Sequence, residues 1–186
     1  MAGLKLYMLL LGCRPPGRHV EQHDFFFGIA PSLKELVPDI KNFWPEVKGN
    51  NHIDAWREVT AVDGYEVSVI DKADTEQQQE KLFFINLGGY QKGKFEEQHY
   101  VLLTVQPDLA AATKQAKQTL FYKENGFGKA VSHIDDKYGI DVDDIYRIED
   151  ILPSVQKAMY SIKLTPTEGM EEDEIHLGYL PLTKIK

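Results

Sequence analysis

At 186 residues, 42% of them apolar, the chain is long enough to bury a core, either as one domain or as two small ones. A formal charge of -8, a pI near 5.2 and no stretch where Lys and Arg accumulate argue against a general nucleic-acid binder and a protein held by charge on an anionic membrane, leaving room only for a local site of either kind. The single cysteine, Cys13, excludes an intrachain disulfide framework and fits a reducing compartment, read as the cytoplasm.

In chain order, an apolar β-rich run over 4–11 predicts a first strand. Leu10, Leu11, Gly12 and Cys13 loosely resemble a lipoprotein cleavage site, but the apolar run is short for a signal peptide. The same pattern also recurs over 81–89, where no signal peptide acts. A glycine-punctuated loop leads to a second strand over 24–30, whose consecutive Phe25, Phe26 and Phe27 suggest burial on both faces. Pro31 and Ser32 then open a helix, with Ser32 and Glu35 as a capping box and Leu33, Leu36, Val37, Ile40 and Phe43 at helical spacing. Pro38 is expected to kink that helix. Residues 52–59 and 64–70 read as strands about an Asp63-Gly64 turn, with Trp56 and Tyr65 read first as core and otherwise as a half-exposed interface or ligand wall.

The polar stretch 72–80 reads as a linker, after which the order repeats: strands over 81–87 and 100–106, a helix opened by Pro107 and Asp108 and running to about Lys123, and a less regular stretch over 130–148. Beyond Pro153, residues 157–164 and 174–180 read as a hairpin around the acidic loop 165–173.

The recurrence holds at the level of residues. Setting 5–41 against 81–117 without a gap makes eleven of thirty-seven positions identical, among them Leu11/Leu87, Gly12/Gly88, Gly17/Gly93, Glu21/Glu97, Gln22/Gln98 and His23/His99. Unrelated sequences of ordinary composition would share roughly two or three. With a few residues inserted around 125–128, His52-Ile53-Asp54 corresponds to His133-Ile134-Asp135. The expected organisation is a first repeat unit over 1–71, a linker over 72–80, a second unit over 81–152 and an extension over 153–186, all in one globule. The expected fold is α+β: two homologous β-β-α-β(-β) units packed as an internal pseudo-dimer, plus the C-terminal hairpin.

The candidate site residues follow from the shared polar elements. Entering a strand, Glu21 and His23 point to one face and Gln22 to the other, as do Glu97 and His99 against Gln98. A carboxylate beside an imidazole orients its tautomer and suits proton transfer or ligand gripping. His52 with Asp54, and His133 with Asp135, have the same spacing. The structural alternative is that these groups hydrogen-bond loop backbone and hold the hairpin in shape. No cofactor and no metal are expected; His23, His52 and Asp54 are the residues that would supply a metal site, although their spacing matches no zinc helix or finger. The glycines lie between strands and not before a helix, so turn geometry accounts for them better than a phosphate cradle. Cys13 aligns with Gly89, so thiol chemistry would be private to one unit.

Leu-Gly-Cys or Leu-Gly-Gly, then Gly-x-x-x-Glu-Gln-His, then His-Ile-Asp and Val-Asp-Gly-Tyr resembles the bacterial family known as domain of unknown function fifteen-forty-three, in two tandem copies over about 4–70 and 81–150. The resemblance implies a small cytoplasmic bacterial protein and carries no activity, cofactor or catalytic residue with it. The second unit departs from the pattern at Asp144-Ile145, where the first has Gly64-Tyr65. The functional expectation is a non-enzymatic module, monomeric or homodimeric, that binds a small polar ligand or a protein partner, with no nucleic acid and no membrane involved. The alternative is an enzyme, metal-assisted or working by acid-base catalysis through the paired Glu/His and His/Asp elements.

Overall fold

The computed structural model describes residues 3–90, 94–118 and 141–185. It is a mixed α+β protein of several antiparallel sheets and few helices, divided into unit 1 (Met1–Gln77 with Ile151–Lys186) and unit 2 (Gln78–Asp150).

Unit 1 begins with strands β1 (Lys5–Cys13) and β2 (Gln22–Ala30), antiparallel with Gly12 opposite His23. Alternation sends Tyr7, Leu9 and Leu11 to one face of β1, where they join Phe26, Leu33, Leu36, Ile40 and Ile53 in a core. Met8 on the other face lies opposite Phe27, and both are buried, so the middle of the sheet is covered on both sides, as the phenylalanine run implies.

The helical segment after β2 is not one kinked helix. Residues Leu33–Leu36 form a 3-10 turn and α1 (Val37–Phe43) starts afresh, with Pro38 in its first turn. There the missing N–H of Pro38 has no intrahelical partner to lose, so the proline starts the helix and does not bend it. The capping box is also incomplete: Ser32 Oγ lies 3.2 Å from Glu35 Oε1 and makes no side-chain bond to the helix backbone.

Strand β3 (His52–Glu58) returns along β1. The turn from β4 (Ala61–Val62) to β5 (Tyr65–Asp71) has Asp63 at φ 51° and Gly64 at φ 78°, the positive pair a two-residue hairpin needs. A 3-10 turn at Lys72–Asp74 precedes the exit from unit 1.

Unit 2 has β6 (Lys81–Tyr90) central between β7 (Glu97–Gln106) and β8 (Asp141–Arg147), with α2 (Leu109–Gln118) packing Ala112 and Ala116 on Phe83, Ile85 and Leu87. Asp108 caps α2, accepting from the Ala111 amide at 2.8 Å. The strand registers match those of unit 1. Gly88 lies opposite His99 as Gly12 lies opposite His23, and both central strands meet a bulged third strand, at Leu10/Leu11 and at Asn86/Leu87.

That register corrects the second half of the sequence alignment. The residue opposite Gly88 on β8 is Asp141, where Gly12 has His52, so His52-Ile53-Asp54 corresponds in register to Asp141-Val142-Asp143 and not to His133-Ile134-Asp135. Residues 119–140 separate the described part of α2 from β8, against 44–51 between α1 and β3, so even an identical tripeptide is a poor guide to register. His133 and Asp135 themselves lie outside the described residues, as does the end of the second helix beyond Gln118.

After α3 (Ile148–Ile151), the chain returns to unit 1 with α4 (Ser154–Met159), β9 (Tyr160–Pro166) and β10 (His176–Pro181). These last two strands are not a hairpin. β9 pairs with β5 and β10 with β3, in different sheets, giving the orders β4-β5-β9 and β10-β3-β1-β2. Each has an unpaired edge of unit 1 to complete, which removes more open backbone than pairing with each other would. The acidic loop between them is pinned where Thr60 donates through its amide and hydroxyl to Asp173 Oδ1, at 3.0 and 2.6 Å.

Candidate functional site

The polar residues singled out in the first unit converge at one end of its four-stranded sheet. His23 on β2 and His52 on β3 flank Gly12 of β1 from either side in the register, so all three positions share a face. Asp54 is the extra residue of the β3 bulge, between Ile53 opposite Leu11 and Ala55 opposite Leu10. A bulge re-aims the side chain it carries. Glu21, immediately before β2, reaches the same cluster.

The contacts are close. His52 Nε2 is 3.1 Å from Glu21 Oε1 and 3.2 Å from Asp54 Oδ1, while His23 Nε2 is 3.3 Å from Asp54 Oδ2. Asp54 Oδ2 is buried and has no hydrogen-bond partner, so its approach to His23 is an ion-pair distance without hydrogen-bond alignment. The His52 side chain is 8% exposed, whereas those of His23 and Glu21 are nearly half exposed. One member of the cluster is thus anchored and two are open to solvent. Gln22, on the opposite side of its strand, bonds the carbonyls of Val20 and Glu21 and takes no part.

Gly12 makes the convergence possible. A Cβ there would stand 2.2 Å from Asp54 Oδ2 and 2.6 Å from His52 Nε2. Turn geometry therefore accounts for Gly17, at φ 80° in the connecting loop, but not for Gly12, which is regular strand whose missing side chain leaves room for the cluster.

Tyr179 of β10 completes the surroundings. Its ring lies 4.2 Å from that of His52 at 42°, and the residue is 69% exposed. Next along β3, Trp56 stacks on His176 at 3.9 Å and 16° and packs against the core, which resolves its role as core edge. Sequence reasoning missed Tyr179 because it lies 127 residues beyond His52 in a segment with no counterpart in the first half. The signal available for Gly12 was its distance of eleven residues from His23, repeated between Gly88 and His99, which is a hairpin register.

In unit 2, Glu97 and His99 stand at the equivalent positions of β7, with His99 Nε2 3.9 Å from Glu97 Oε2. Gln98 lies between them, opposite Gly89. No group of three or more His, Cys, Asp or Glu side chains among the described residues is arranged to hold a metal ion, so His23, His52 and Asp54 meet without forming such a set.

Electrostatics elsewhere in unit 1 bear on nucleophiles. Cys13 is buried, and burial, then the nearby Glu21 charge, pushes its thiol pKa up, away from the reactive thiolate. Tyr7 is pushed up to about 12 by burial and then by Glu58, to whose carboxylate its hydroxyl donates at 3.4 Å.

No helix among the described residues is long and apolar enough to cross a membrane. No curated protein matches the chain. The crystal structure of protein Il1583 from Idiomarina loihiensis is similar to it, with a TM-score of 0.58 and 20% identity over 96% of this chain and 98% of that one, a likeness of fold. Residues 18–69, which include Glu21, His23, His52 and Asp54, match in one copy the family model described as Domain of Unknown Function (DUF1543).

Proposed function

We propose that the protein is a non-enzymatic binding module whose site is the Glu21, His23, His52 and Asp54 cluster over Gly12. The observation that carries this reading is the unbalanced cluster itself: four ionisable side chains gathered where a glycine leaves room, one carboxylate oxygen without a donor, and two members open to solvent. A group that only held the hairpin in shape would bond backbone, and none of the four makes a side-chain bond to the hairpin backbone among the bonds of the described residues.

The two units are, on this reading, copies of one ancestral β-β-α-β element, supported by the shared Glu-Gln-His and the shared registers. The second copy has Asp141 in the place of His52, so Glu97, Gln98 and His99 belong to a site of altered chemistry. The pairing of the units as a pseudo-dimer and a bacterial cytoplasmic location are part of the same proposal; the lone buried thiol and the acidic pI support the latter. The enzyme alternative draws on His52 Nε2 meeting two carboxylates, an arrangement suited to acid-base work.

Replacing Glu21 by Gln and His23 by Asn separates binding from structure. Exposed ion pairs contribute about 0–1 kcal/mol, so the binding reading expects the double variant to melt within a few degrees of the parent while losing small-molecule binding. A large loss of melting temperature would assign these residues to the fold.

A further inference from the structure

We propose that the cluster takes a small organic cation, an amine or a guanidinium, and that Tyr179 of the C-terminal strand supplies the aromatic wall against which it sits. This rests on the binding reading above and names its ligand class.

Charge is the first argument. Two carboxylates face two imidazoles, so with both carboxylates ionised the site carries no net positive charge, and a negative one whenever either imidazole is neutral. The chain as a whole carries -8. Hydrogen-bonding capacity points the same way. Ionised carboxylates only accept, at about four lone-pair positions each, whereas a neutral imidazole has a single N–H to give. The cluster therefore has an excess of acceptors, visible in Asp54 Oδ2, buried without a donor. An anion would add acceptors to a site already short of donors. An ammonium or guanidinium supplies donors and charge together.

Tyr179 is the second, independent argument. Its ring contacts the anchored imidazole of His52 while most of it remains exposed, and Leu177, on the same strand opposite Ala55, is exposed as well. An exposed ring packed on the imidazole that meets both carboxylates offers an organic cation a face with a favourable quadrupole and apolar contact for its carbon atoms. The basic residues of the adjoining loop do not already fill this role. Arg14 Nε lies 3.4 Å from the Arg18 carbonyl, and neither arginine forms an ion pair with the cluster among the described residues.

The test is an NMR titration of the full chain with methylguanidinium, butylammonium, propionate and a neutral amide of similar size. The expected result is saturable shifts at His23, His52 and Tyr179 with the two cations, and none with propionate. Asp54→Asn and Tyr179→Ala should each weaken cation binding at least fivefold, and Tyr179→Phe, which keeps the ring, should leave it within twofold. Binding of propionate or the amide in preference to the cations overturns the ligand class and leaves the binding site standing. Cation binding that Tyr179→Ala does not alter overturns the aromatic wall. Absence of shifts at the cluster with every probe overturns the binding reading itself.

Discussion

Gly12 is the residue on which the proposed site turns. Its replacement by alanine keeps ordinary strand backbone but drives a methyl group into Asp54 and His52, so both side chains must leave their positions. Overpacking of this kind costs about 1–3 kcal/mol, which thermal unfolding of Gly12→Ala should register as a lower melting temperature, with His23 and His52 resonances displaced. A variant as stable as the parent with unmoved histidines would show that the cluster does not need the space.

Tyr7 gives a prediction in pH. Its folded pKa, pushed up to about 12 by burial and Glu58, lies above the ordinary value of 10.0, so the folded state favours the neutral phenol. That contribution is fully present below pH 10 and is lost as pH rises toward 12. Stability should fall across this window, and less steeply in Tyr7→Phe. Equal slopes in the two proteins would remove Tyr7 from the account.

At the scale of elements, Gln156 of α4 ties the C-terminal segment to the first half. Its Oε1 accepts from the Ile29 amide at 2.7 Å, on edge strand β2, and its Nε2 donates to Asp39 of α1 at 2.8 Å. Gln156→Ala leaves a buried amide unpaired and should cost about 1–3 kcal/mol, measured by denaturant unfolding; a change below a few tenths would mean that another group or water replaces it.

The local elements were legible in the sequence because local physics makes them. The continuous apolar run of Leu6 to Leu11, the Asp63-Gly64 turn and the Asp108 cap are decided within a few residues. Partner choice was not. Nothing local to Tyr160–Pro166 or His176–Pro181 distinguishes pairing with each other from pairing with β5 and β3, since that depends on which sheet edges are open elsewhere. The same reason hid half of the site. Glu21, His23, His52 and Asp54 were visible as polar residues at alternating spacing, but the bulge that aims Asp54 and the strand that delivers Tyr179 are tertiary facts. His133 looked like the partner of His52 because a three-residue match outweighed a register that only the folded sheet displays.

For the whole molecule, unit 2 is an insertion between two segments of unit 1, and these are joined close to the insertion point, where Thr75 Oγ1 and Ser161 Oγ are 2.7 Å apart. Replacing residues 78–150 by a short Gly-Ser linker should leave a folded unit 1. Both tryptophans, Trp44 and Trp56, lie in unit 1, so their fluorescence reports its unfolding. A cooperative transition is expected, and a broad non-cooperative one would show that unit 1 depends on unit 2.

On the proposed reading, the cluster over Gly12 is where this protein meets a small ligand. Chemical-shift mapping of the full chain against a set of amines, amino acids, sugars and nucleobases tests it most directly. Saturable shifts centred on Gly12, His23, His52 and Tyr179 that weaken in Gly12→Ala are expected; shifts centred elsewhere, or none with any member of the set, would overturn the binding reading.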